Sequence, residues 1–144
     1  MSPDPPRVLL IMPDQWPRAL LRAALREAGY DALGAPGLAA ALQYRAEAPG
    51  RGPVRLVVVD QPALADDDAA ALLGELGRRH GDPGLVLLAR AGDAQPIPGA
   101  AAVPGAAAVP AWRRVLRRPT SIADVVAAVQ TLLPLPPGSA RRLD

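Results

Sequence analysis

Two aspartates, Asp14 and Asp60, stand where chemistry is to be expected in this chain, because so few other reactive groups exist. The 144 residues include no Cys, a single His (His80) and sixteen basic residues, all of them Arg. Without Cys there can be no disulfide, iron–sulfur cluster or thiolate zinc site, and one His argues against a histidine-built metal site. Serine and cysteine triads lose their base in the same way. What remains is carboxylate chemistry. Asp60 closes the run RLVVVD (Arg55–Asp60), and Asp14 follows the run RVLLIM (Arg7–Met12) by one residue. Each also has a plainer reading: Asp14 as a helix N-cap, and Asp60 as a strand-end acid that caps or ion-pairs with Arg118. The trio Asp66 to Asp68 reads as the start of a helix, where the N-terminal dipole favours negative charge, rather than as a metal cluster. No glycine-rich loop follows Met12, which argues against a nucleotide- or flavin-binding domain, since a phosphate there needs close backbone approach.

Alternating elements would position these acids. RVLLIM and LVLLA (Leu85–Ala89) are unbroken apolar runs of strand length, as expected of strands covered on both faces. RLVVVD is the strongest strand signal, Tyr30–Ala35 a shorter one, and WRRVL (Trp112–Leu116) the last. Between Pro17 and Gly29 the period changes: Leu20, Leu21, Ala24, Leu25 and Ala28 form one helical stripe, opened by Pro17 and closed by Gly29. A second helix is expected over Gly37–Ala48. A third follows the acidic trio, with Leu72, Leu73 and Leu76 on its buried face and Arg78, Arg79 and His80 favouring its C-terminal end. After Pro119, Ser121 and Asp124 form a short capping box for a last helix, whose stripe is Ile122, Val125, Val126, Val129, Leu132 and Leu133. The hexamer PGAAAV occurs at 98–103 and again at 104–109. Proline every six residues prevents a long helix, so Gly92–Ala111 reads as a surface connection. Trp16 and Trp112 read as anchors at the sheet edge.

Five alternations with short connections predict an α/β fold: a five-stranded parallel sheet in the order 2-1-3-4-5 with helices on both faces, flavodoxin-like. In such sheets chemistry collects at the carboxyl ends of the strands, where Asp14 and Asp60 fall. One domain is expected over 7–134, with an N-terminal tail over 1–6 and a flexible C-terminal tail over 135–144. No apolar run approaches the ~20 residues of a membrane span, and Met1–Pro6 lacks the layout of a signal peptide, so a cytoplasmic protein is expected. The formal charge of +2 is too small to argue for nucleic acid, and the Arg pairs at 78–79, 113–114, 117–118 and 141–142 read as solvated surface.

The stretches RVLLIMPDQWPRALLRAALREAGYDAL, LVVVD and VLRRPTSIADVVAAVQTLL, in that order, resemble the receiver domain of bacterial response regulators over Arg7–Leu133. The resemblance implies that Asp60 is the phosphoacceptor. Attack by an aspartyl carboxylate on phosphorus is in line, with Mg2+ neutralising the equatorial oxygens. It also implies two acidic metal ligands after the first strand, where this chain has Met12 and Pro13, with Asp14 one residue further on. The carbonyl of Pro62, two residues after Asp60, completes the implied site. The lysine that pairs with the phosphoryl group is replaced by Arg118, joined to Pro119 by a cis peptide if the family pattern holds. The switch hydroxyl at the end of the fourth strand is replaced by Ala89.

Two carboxylates (Asp14 and Asp60) where the family offers three predict weak Mg2+ binding or none. The expected function is that of a degenerate receiver in phosphorelay signal transduction, not an enzyme, acting through protein contacts. Its expected partner is a signalling protein, a histidine kinase or a downstream effector, with a homodimer left open and no membrane. The alternatives are a working receiver that uses Asp60 with Asp14 and Arg118, and a nucleotide- or flavin-binding domain of similar architecture.

Overall fold

A computed structural model describes residues 5–46, 52–65, 68–89, 112–117 and 120–135. Five strands form one parallel sheet: β1 (Arg7–Ile11), β2 (Asp31–Ala35), β3 (Val54–Asp60), β4 (Gly84–Ala89) and β5 (Arg114–Arg117), in the order β2-β1-β3-β4-β5. Four α-helices accompany them: α1 (Gln15–Glu27), α2 (Leu38–Ala41), α3 (Ala69–His80) and α4 (Ile122–Leu132), with a 3-10 turn over Gln61–Ala65. This is the predicted sheet, in the predicted order.

The apolar runs became central strands because both of their faces are covered. Leu9, Ile11, Val57, Val59 and Leu85 pack beneath α2 and α3, while Val8, Leu10, Leu56, Val58, Val86 and Leu88 pack against α1 and α4. Successive side chains of one strand thus feed two cores, the period-two geometry of a pleated strand. The edge strand β5 carries two exposed arginines, Arg114 and Arg117, on either side of Val115 and Leu116.

The capping box forms as expected: Ser121 Oγ accepts from the Asp124 amide at 3.0 Å, and Asp124 Oδ2 accepts from the Ser121 amide at 3.2 Å. Two expectations need correction. Helix α2 ends at Ala41 instead of Ala48, because the chain tightens there into turns: Leu42, Gln43 and Tyr44 each donate to the residue three back. Tyr44 then turns its hydroxyl to the Gly34 carbonyl at 2.8 Å, and Arg7 takes the Arg45 carbonyl at 2.9 Å. Trp16 is no anchor, being 75% exposed on α1. Leu135 is half-buried and packs against the core cluster that includes residues of α1 and α4. The PGAAAV copies and the pair Asp66–Asp67 lie outside the described residues.

The amino-terminal edge of the sheet is closed by two buried polar side chains. Arg7 Nη1 donates to the carbonyls of Arg45 (2.9 Å) and Gly52 (2.6 Å), and its Nε lies 3.8 Å from Asp31 Oδ2. His80, read from sequence as a helix-end dipole contact, is 4% exposed. Its Nδ1 accepts from the Val54 amide at 3.0 Å, and its Nε2 lies 3.2 Å from the Tyr44 carbonyl. That pattern suits a neutral imidazole protonated at Nε2.

Candidate functional site at the carboxyl edge of the sheet

Asp60 is the last residue of β3 and is 3% exposed, engaged by a neighbouring group within the fold. Strand register defines its surroundings. Ile11 pairs with Val59, so Met12 lies one step on, beside Asp60, while on the other side Asp60 pairs with Leu88. Alternation along β3 puts Asp60 on the face of Leu56 and Val58, the face to which Met12 and Leu88 also belong. Met12 and Leu88 are each 3% exposed. The acid at the centre of the sheet edge is therefore flanked by two buried apolar side chains.

Those two side chains line a cleft of about 60 Å3, together with Pro17 and Leu21 of α1 and Ile122 and Val125 of α4. The cleft is largely apolar, and its size is that of a small side chain or a few atoms. Ala89, expected from sequence at the switch position, ends β4 at 3% exposure and pairs with Arg117 of β5. Ala89 has no hydroxyl to move toward Asp60.

Asp14 is the exposed N-cap residue of α1, without a side-chain capping bond. Pro13, beside it, is exposed. Arg118 and Pro119, and with them the cis-peptide expectation, lie outside the described residues. Among the described residues, no three His, Asp or Glu side chains come together as a metal ligand set.

Sequence reasoning missed Arg18. From α1 its guanidinium reaches back to the end of β1, where Nη1 donates to the Met12 carbonyl at 2.6 Å and to the Pro13 carbonyl at 3.5 Å. Its aliphatic stem lies over Gly34, where a Cβ would meet Arg18 Cδ at 3.1 Å. Gly34 makes room for the arm that holds the β1 loop. Neither residue has a local signal, since the pairing joins helix α1 to a position on β2 far outside one helical turn.

The fold and site define a class: a doubly wound parallel α/β domain whose candidate chemistry sits at the carboxyl end of its central strand. Within that class, the chain has the fold of response-regulator receiver domains. It is similar to a receiver domain protein from Clostridium thermocellum, at 17% identity and a TM-score of 0.63, covering 89% of this chain and 94% of that one. A response regulator from Burkholderia pseudomallei, solved with a phosphorylated aspartic acid, a calcium ion and citrate, matches at 19% identity and a TM-score of 0.60, over 94% of this chain and 69% of that one. A structure described as adenylate cyclase from Rhodopirellula baltica matches at 16% identity and a TM-score of 0.67, over 90% and 87%. No family model and no curated protein sequence matches the chain. Among the described residues, no helix is long and apolar enough to cross a membrane.

Proposed function

We propose that the chain is a degenerate receiver domain, a non-enzymatic component of phosphorelay-type signalling that works through protein contacts and not through efficient phosphoryl transfer to Asp60. The observation that carries this reading is the neighbourhood of Asp60: Met12 and Leu88 on either side, both buried and apolar, with Asp60 itself 3% exposed. A small hard cation needs several oxygen ligands in tight octahedral geometry. Met12 turns a thioether into the core at the first position where an acid is needed, and Pro13 fills the second. The side chains present do not fit a Mg2+ site of the receiver type. Ala89 adds the second deficit, because a hydrogen bond to a charged group is worth roughly 1.5–3 kcal/mol and a conformational switch without it loses its bias.

The fold leaves surface for partners. A groove of about 320 Å3 runs between β5 and α4, lined by Arg114, Arg117, Thr120, Asp124 and Thr131 among others. A signalling protein, either a histidine kinase or a downstream effector, is the partner this reading assigns, in the cytoplasm. The competing reading, a working phosphoacceptor completed by Asp14 and Arg118, draws its support from the Burkholderia pseudomallei structure, whose fold holds a phosphorylated aspartic acid and a calcium ion.

Titration with Mg2+ separates the two. Trp16 lies two residues from Asp14 on an exposed helix face and reports on cation binding there. The degenerate reading expects no saturable change in tryptophan emission up to tens of millimolar Mg2+, roughly the limit for a weak carboxylate site. A saturable change that disappears in Asp60→Asn would establish the working site instead.

A further inference from the structure

Strand β2 ends the sheet, and its outer edge is occupied by side chains of its own fold. Alternate residues of a parallel strand turn both of their backbone groups to the same neighbour. On β2 the residues that face β1 are Asp31, Leu33 and Ala35: the Asp31 amide donates to the Pro6 carbonyl, and the Ala35 carbonyl accepts from the Met12 amide, each at 3.0 Å. Ala32 and Gly34 therefore turn their amides and carbonyls outward, away from the sheet.

Both outward carbonyls are taken. Arg22 Nε, from α1, donates to the Ala32 carbonyl at 3.1 Å, and the Tyr44 hydroxyl, from the turns after α2, donates to the Gly34 carbonyl at 2.8 Å. These are the distances of a ladder hydrogen bond, so each donor stands where an amide nitrogen of a sixth strand would stand. The two donors reach the edge from opposite layers: α1 packs on the core that holds Ala32, and Tyr44 on the core that holds Leu33. The stem of Arg18 covers Gly34 as well. A strand end of small residues with backbone groups turned outward is a template for strand addition unless something blocks it.

We infer that Arg22 and Tyr44 are an autoinhibitory lock on the β2 edge: by holding its two outward carbonyls they keep a second copy of this chain from adding its own β2 there. The excluded occupant is a second β2 because the edge is self-complementary. Two such strands set antiparallel about a two-fold axis place Ala32 of each copy opposite Gly34 of the other, so that the outward amides of one meet the outward carbonyls of the other. So short a pairing is weak even when unlocked, with a dissociation constant on the order of 100 µM. The lock is independent of the chemistry at Asp60.

Sedimentation equilibrium of the full chain up to about 1 mM, with amide hydrogen exchange read residue by residue by NMR, tests this. In Arg22→Ala combined with Tyr44→Phe, the average mass at the top of the range should exceed that of the parent chain. The Ala32 and Gly34 amides of the double variant should exchange about threefold more slowly at about 1 mM than at about 50 µM, the ratio that such a dissociation constant implies. In the parent chain they should exchange at one rate at both concentrations. Tyr44→Phe removes one oxygen and keeps the ring; should the double variant fail to unfold cooperatively in urea, this single variant decides, by slower exchange of the Gly34 amide at the higher concentration. A double variant with the parent's mass throughout, or one whose added mass leaves the Ala32 and Gly34 amides exchanging at one rate at both concentrations, would overturn the inference, as would a deciding Tyr44→Phe without that slowing.

Discussion

At the scale of single residues, three buried polar side chains divide the labour of the sheet's two edges. Asp60 sits at the carboxyl edge, while Arg7 and His80 close the amino edge by serving backbone groups of Arg45, Gly52, Val54 and Tyr44. The sequence made Asp60 legible because an acid ending VVVD is out of character with what precedes it. It did not make His80 legible, because its partners lie 26 and 36 residues away and its place at a helix end offered a sufficient local explanation. His80→Ala leaves the Val54 amide buried without its acceptor. A loss of about 1–3 kcal/mol in urea unfolding is expected. Tyr30 gives a pH signature. Its hydroxyl donates to the Leu133 carbonyl at 2.7 Å, and burial pushes its phenol above the ordinary range. The folded chain therefore keeps this proton to higher pH than the unfolded chain does. The stability it contributes is complete below about pH 10 and is lost as pH rises through the folded-state value. Tyr30→Phe should cost about 1 kcal/mol at neutral pH and make the alkaline side of the stability profile less steep.

Elements carried most of what the sequence made readable. Strands covered on both faces announce themselves as unbroken apolar runs, helix α4 was bounded by a capping box, and α3 carries its basic residues in the last turn. Two features were not readable. In helix α1 the adjacent Leu20 and Leu21 entered one stripe on paper, whereas the fold buries Leu21 and leaves Leu20 in solvent. The run LAAALQYRA offered no cap at which α2 could stop, and it stops where Arg7 and Tyr44 make tertiary bonds. Where a cap was legible its strength can be measured. Ser121→Ala removes the oxygen that accepts from the Asp124 amide, and a loss of about 1 kcal/mol is expected, read as a lower urea midpoint with an unchanged slope. At Gly84, which opens β4, an added Cβ would come within 2.9 Å of Leu56 Cδ1 and 3.0 Å of Arg113 Cδ. Gly84→Val should destabilise the seam between β3 and β5 by roughly 1–3 kcal/mol in the same assay.

For the molecule as a whole, the fold is that of receiver domains, and the proposed function rests on the pocket at its carboxyl edge, where an acid stands between a thioether and a leucine. Fold alone does not set function, and the pocket is where function must be argued. Its chemistry is most directly read by incubating the full chain with Mg2+ and a small acyl phosphate donor and weighing the intact protein. The degenerate reading predicts that the mass stays at that of the unmodified chain. A stoichiometric gain of one phosphoryl group, labile to base and absent in Asp60→Asn, would contradict it.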